Sequence, residues 1–204
     1  MENKIGFAIG NGKSRLDCDL SLLQKIGPVY GCNALYRDFR ADALLSLDPR
    51  MIDEIFLNKK DDGEFIYRVY GEDAKLFGNK RVLRSTDQID IFEDRGYSAG
   101  PTVMSLLCTR FKQLRQLFLI GFDLYGTTDA KVNNVYAGTI GYVGKQHRPT
   151  PFGSWVQHIY DVVIEYKGIE FFRVGNCTDE LPEKWRDVTN LKFINSIEMD
   201  HLLK

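Results

Sequence analysis

No stretch of this 204-residue chain approaches the roughly 20 consecutive apolar residues that a membrane-crossing helix needs, so no such span is expected. Cysteine is scarce and scattered. Cys18, Cys32, Cys108 and Cys177 form no Cys-x-x-Cys pair and have no histidine at ligand spacing. That argues against a zinc site and a disulfide framework, and leaves reduced, mostly buried thiols. An excess of either charge is also missing: 27 Lys and Arg against 28 Asp and Glu give a net charge of −1. Such a chain has no overall field to draw in nucleic acid, which is an unlikely partner. Internal repeats and low-complexity tracts are absent. Met1 to Lys4 runs straight into an apolar strand without a signal-peptide pattern, so a cytoplasmic protein is expected.

What is present is an ordinary globular composition, 44% hydrophobic and 12% aromatic, long enough for one sizeable core. A single α/β domain over residues 1–204 is expected. Ile5 to Ile9 reads as a strand, broken sharply by Gly10-Asn11-Gly12, with Ser14 as the N-cap of a helix through Leu16, Leu20 and Leu23. Strands follow at Val29 to Cys32 and at Ala43 to Leu47, the latter ending at Asp48-Pro49. Helical spacing returns at Met51, Ile52 and Ile55. Phe65 to Tyr70 and Arg81 to Leu83 look like strands, and Val103, Met104, Leu107 and Phe111 repeat as a helix. The apolar run Leu117 to Ile120 reads as a buried parallel strand. A helix over Ser154 to Lys167, a strand over Glu170 to Val174 and a tail helix over Ile194 to Leu203 close the pattern.

Alternating strands and helices predict a Rossmann-like, mostly parallel sheet covered on both faces. Ligands of such sheets bind beyond the carboxyl ends of the strands. The polar residues at those ends are Gly10-Asn11-Gly12, Asn33, Asp48 and Gly121 to Tyr125. Residues 121–152 have no clear period and predict a long, lid-like active-site loop. The glycine turn lets a backbone approach a ligand, and the helix after it offers N–H groups to an anion. It is not an ATP P-loop, because the upstream glycine of that motif would fall on Phe7.

Several segments together carry a resemblance. Ile9-Gly10-Asn11-Gly12-Lys13-Ser14 and then Gly31-Cys32-Asn33-Ala34-Leu35-Tyr36 are followed by Arg95-Gly96-Tyr97-Ser98-Ala99-Gly100 and by Leu119-Ile120-Gly121-Phe122-Asp123-Leu124-Tyr125. In this order they resemble the family 42 bacterial sialyltransferases, with their Gly-Asn-Gly-Pro-Ser turn, Cys-Asn-x-x-Tyr stretch, Arg-x-Thr-Ser-Gly segment and Leu-x-Gly-x-Asp-x-Tyr run. The glycine turn is shared with pterin pyrophosphokinase-like proteins. Lys13 and Arg15 replace the family's Pro and Leu, and Gly96-Tyr97 replaces Ile-Thr.

The resemblance implies a role for each matched position. Asn11 and Ser14 would contact the nucleotide and its phosphate, Asn33 the cytidine or its ribose, and Asp48 another part of the donor. Ser98, or the Ala99-Gly100 backbone, would hold a sugar carboxylate. Tyr125 and Tyr136 would hydrogen-bond the departing phosphate, and His147 would take the acceptor's proton. His158 and His201 read as structural. Asp17-Cys18-Asp19 matches the metal-binding Asp-x-Asp by letter only and reads as a solvated helix face, so no metal or other cofactor is expected. The function implied is inverting, metal-independent glycosyl transfer from a CMP-sugar or related donor to a glycan or other hydroxyl. The alternatives are an ATP- and Mg²⁺-dependent pyrophosphokinase-like transferase and a non-catalytic nucleotide-binding module. The oligomeric state is left open, a homo-oligomer included.

Overall fold

The computed structural model describes residues 4–59, 63–78, 80–87, 91–149, 151, 153–175 and 182–204. Cys177 and the end of the expected loop near residue 152 lie outside them. Nine strands form one sheet: β1 (Ile5–Ile9), β2 (Val29–Cys32), β3 (Ala43–Ser46), β4 (Glu64–Arg68), β5 (Val82–Ser85), β6 (Ile91–Glu93), β7 (Gln116–Ile120), β8 (Glu170–Val174) and β9 (Leu191–Ile194). Their order is β6-β5-β4-β3-β2-β1-β7-β8-β9. The run from β4 through β1 to β9 is parallel, and β5 and β6 add an antiparallel edge. The class is therefore α/β, with a mostly parallel sheet.

Alternation along the strands divides the core in two. Phe7 and Ile9 of β1, Phe118 and Ile120 of β7, and Phe172 of β8 enter one cluster with Leu20, Leu35, Ile52 and Met199. Ala8, Leu117, Leu119 and Phe171 enter the other with Met104, Leu107, Ile159 and Val163. Thus α1 (Leu20–Leu23), α2 (Pro49–Asn58) and α5 (Ser196–Leu202) cover one face. The other is covered by α3 (Ala99–Arg110) and α4 (Gly153–Glu165). Burial on both sides explains why the central strands read as continuous apolar runs. Three rings stack across the middle, Phe7 to Phe118 at 5.5 Å and Phe118 to Phe172 at 4.8 Å.

Several local expectations need correction. The first helix is broken: Lys13–Asp17 is a 3-10 helix, and α1 is a separate four-residue helix. Ser14 is not its N-cap. Asp19 caps α1 instead, accepting from Ser21 N at 3.0 Å, so the Asp17-Cys18-Asp19 stretch is a junction rather than a helix face. The break turns Arg15 into the core, 3% exposed, and leaves Leu16 out at 64%. At the other end, Leu191–Ile194 is an edge strand paired with β8, and the tail helix begins only at Ser196. A capping box between Asn195 and Glu198 fixes that start. β6 has only Ile91 and Phe92 to mark it, and Ile91 is half exposed at the sheet edge, so its sequence carries no clear strand pattern.

Candidate functional site

The chain leaves β1 toward β2 on one side and returns to β1's other side as β7, so the order reverses between these two strands. A crevice opens at such a reversal, beyond the carboxyl ends. Here both strands end in glycine turns packed backbone to backbone. Gly10 N donates to the Ile120 carbonyl at 2.7 Å, and Gly12 N to the Gly121 carbonyl at 2.9 Å. A Cβ on Gly10 would lie 2.4 Å from the Gly121 oxygen, and Gly121 itself adopts φ +72°, so neither position accepts another residue without moving the pair.

Above the turns lies a cavity of about 390 Å³. Of the residues implied by the resemblance, Gly10, Asn11, Gly12, Asn33, Ser98, Ala99, Gly100 and Tyr125 line it together. Asn33, at the end of β2, holds φ +54°, and its Oδ1 accepts from Ser46 Oγ at 3.2 Å. Such left-handed backbone on a residue with a side chain collects at functional sites. Ser98 precedes the first turn of α3. Its N–H donates to His158 Nδ1 at 3.1 Å, and its Oγ lies 3.5 Å from the same nitrogen. His158 Nδ1 is therefore an acceptor, and the neutral ring carries its proton on Nε2. The Ala99 and Gly100 N–H groups, at the first turn of a 12-residue helix, have no partner within that helix and stand at the cavity wall.

Asn11 is the most constrained of these groups. It is 9% exposed, its Nδ2 donates to Tyr142 Oη at 3.0 Å, and its Oδ1 is buried with no partner. Turning the amide over would let Tyr142 donate to Oδ1, but would orphan Nδ2 instead. An unpaired buried amide atom costs about 1–3 kcal/mol. Tyr142 Oη also accepts from Ala34 N at 3.4 Å, so this phenol is seated over the ends of β1 and β2. Burial pushes its pKa well above the ordinary phenol value.

Among the described residues, Asp123 is the one charged residue in the lining, and no Lys, Arg or His lines it. Its carboxylate accepts from Ser14 N at 2.9 Å and from Ser14 Oγ, while Lys13 N donates to Asn133 Oδ1 at 3.2 Å. The N–H groups after β1, expected to meet a phosphate, are thus taken by the protein's own oxygens. Cys32 also lines the cavity, but burial pushes its thiol up to about 12, which removes it as a nucleophile.

Five expected site residues lie elsewhere. Ser14 is held by Asp123. Asp48 caps α2, accepting from Arg50 N at 2.8 Å. Arg95 pairs with Glu165 through Nη1 and Nη2, the two terminal guanidinium nitrogens. Tyr136 is 5% exposed beneath the loop, its hydroxyl donating to Asp38 and accepting from Arg15 Nη2 at 2.7 Å. Burial and then the Asp38 carboxylate hold its pKa far above normal. His147 is exposed, outside the lining, with Nδ1 3.2 Å from the Gly144 carbonyl of its own turn. Tyr142 lines the cavity, and His158 borders it through Ser98. Neither was marked by periodicity: Tyr142 is one of several loop tyrosines, and His158 sits at an ordinary helix position.

No protein-family model matches this chain, and no curated protein is significantly similar to it in sequence.

Proposed function

We propose that the cavity binds a nucleotide-sugar donor and that the protein transfers its sugar to an acceptor hydroxyl on a Rossmann-like scaffold. One observation carries this reading: the glycine turn after β1, Asn33, the N-terminus of α3 and the turn after β7, separate in sequence, converge on one crevice. The parallel strands run outward in both directions from β1, as in doubly wound nucleotide-binding sheets. The volume suits a nucleoside with a sugar. Tyr125, Tyr142 and Trp155 line it with aromatic side chains, and Asn11, Asn33, Asn133 and Asn134 line it with neutral amides.

The anionic group of the donor, phosphate or sugar carboxylate, meets the Ala99 and Gly100 N–H groups rather than the turn at Ser14. Tyr125 and Tyr142 are the phenols within reach of the leaving group, in the role first expected of Tyr125 and Tyr136. The acceptor oxygen attacks the anomeric carbon, and the bond to the phosphate breaks with its electron pair leaving on the nucleotide. The acceptor's proton passes to Ser98 Oγ, whose own proton moves to His158 Nδ1 as that nitrogen gives up the hydrogen bond from Ser98 N–H, in place of His147. Residues 121–149, which have neither helix nor strand, act as the lid. A lining without a cationic side chain suits a monophosphate-linked donor better than ATP, which disfavours the pyrophosphokinase alternative.

A second reading has one observation in its favour. Asp123 fills the anion position after β1, as expected of a module that binds a nucleotide without catalysis. A thermal-shift panel with CMP, UDP, GDP and ATP in EDTA tests the binding step, since a ligand of the folded state alone must raise the melting temperature. A rise with CMP and not ATP is expected; no rise with any nucleotide overturns the reading. Turnover with a CMP-sugar then separates transferase from module.

A further inference from the structure

Among the described residues no cationic side chain lines the cavity interior, but its outer rim carries several. Between Asp129 and Asp161 the chain has no acidic residue, although acids make up 28 of its 204 residues. That stretch contains Lys131, Lys145, His147 and Arg148. Lys131 is neutralised by Asp129 at 2.6 Å. Among the described residues, no carboxylate pairs with Lys145, Arg148 or Lys13. All three are exposed, and each lies within two residues of the cavity lining, beside Val143, Pro149 and Gly12 respectively. A chain with a net charge of −1 has thus gathered a surplus of positive charge around one opening.

The same rim displays apolar side chains. Ile140 is 83% exposed and Val143 48%. Their exposure is built in. Gly138 and Gly141, at φ +82° and +78°, close a tight turn in which Gly138 N donates to the Val143 carbonyl at 2.7 Å. Arg37 clamps the turn from outside, donating to Thr139 Oγ1 at 2.7 Å and to the Ile140 carbonyl at 2.8 Å. The turn drives Tyr142 inward to Asn11 and holds Ile140 outward at its tip. A purely electrostatic polymer site has no use for a fixed, water-exposed isoleucine between cations.

We infer that this rim is a docking surface for an anionic lipid bilayer, with Ile140 and Val143 entering the headgroup layer and Lys13, Lys145 and Arg148 meeting lipid phosphates. The cavity mouth would then face the membrane, so an acceptor carried on a lipid headgroup reaches it directly. This goes beyond the nucleotide reading and does not depend on it. Either one can fail alone, because vesicle binding is measured without nucleotide.

The test is cosedimentation of the full chain with vesicles of phosphatidylglycerol and phosphatidylcholine, against phosphatidylcholine alone. Binding to the anionic vesicles only, weakening with salt, is expected. K13E/K145E/R148E should weaken it by about a hundredfold. K25E/K112E/K167E, of equal net charge but at exposed positions just before β2, β7 and β8, at the opposite ends of the strands, should leave it within a few-fold. I140S/V143S should weaken it about tenfold with its charge intact. Absence of wild-type binding, or equal losses in the two charge variants, overturns the inference. Unchanged binding of I140S/V143S while heparin competes equally also overturns it, in favour of a hydrated polyanion.

Discussion

The turn after β1 and the segment from Gly126 to Pro149 both border the cavity, yet they are built in opposite ways. In the turn, backbone meets backbone: Gly10 against Gly121, Gly12 beneath Asp123. In the segment, one backbone bond from Val135 N to the Asn11 carbonyl reaches the turn, and side chains do the rest of the fastening. Arg15, Asp38 and Tyr136 tie it down at one point, Arg37 and Glu54 at another, and Tyr142 reaches Asn11 at a third. A backbone-built region tolerates almost no substitution. One fastened by several polar contacts loses them one at a time and can open, so under the proposed function control of access would belong to the segment and positional accuracy to the turn.

The contrast is broken most directly at Gly10. Gly10→Val forces a side chain into the Gly121 carbonyl and should cost about 3 kcal/mol in urea denaturation, with nucleotide binding lost. Gly138→Ala in the segment meets only Lys145, nearest its side chain at 3.4 Å, and should cost about 1 kcal/mol for its positive φ. Equal costs would remove the distinction.

Next in size is the pair of imidazoles. His158→Ala should lower turnover with a CMP-sugar about a hundredfold, while His147→Ala stays within a few-fold. The reverse order would return the base to the loop.

The tyrosines sharpen the comparison further. Tyr142→Phe removes a hydroxyl at the cavity and leaves Asn11 Nδ2 unpaired, so it should weaken CMP binding about tenfold and cost about 1–2 kcal/mol of stability. Tyr136→Phe should cost about 1–2 kcal/mol of stability by leaving Asp38 and Arg15 short of a partner, and change affinity less.

The smallest effect concerns the antiparallel edge, far from both regions. Burial alone would raise the Glu64 and Asp94 carboxyls. For Glu64, hydrogen bonds from Arg110 and Ser85 outweigh it; for Asp94, those from Arg68 and Gly96 N. Both are held below their ordinary values, so their stabilisation is complete above about pH 4–5 and fades as pH falls through the lower folded values. Glu64→Gln should flatten that acid dependence in a denaturation series.

The same division explains what the sequence made legible. Gly10-Asn11-Gly12, Asn33 and Gly121 stand at the ends of apolar runs, where local pattern and backbone conformation decide the structure, and they fall at one site. Ser14 looked like a cap, but the partner that claims it, Asp123, is more than a hundred residues away. Tyr125, Tyr136 and Tyr142 are indistinguishable in a segment without period. Only tertiary contact sends Tyr136 under the loop to Asp38 and Tyr142 into the cavity. β9 was hidden because its two buried residues, Leu191 and Ile194, are spaced as a helix would space them.

The central claim is that the crevice between the β1 and β7 turns holds a nucleotide through Asn11. Calorimetric titration of CMP into the wild-type chain and into Asn11→Ala tests it most directly. Binding by the wild type, weakened at least tenfold in Asn11→Ala with the fold intact, is the predicted result. No binding by the wild type, or equal binding by both chains, would contradict it.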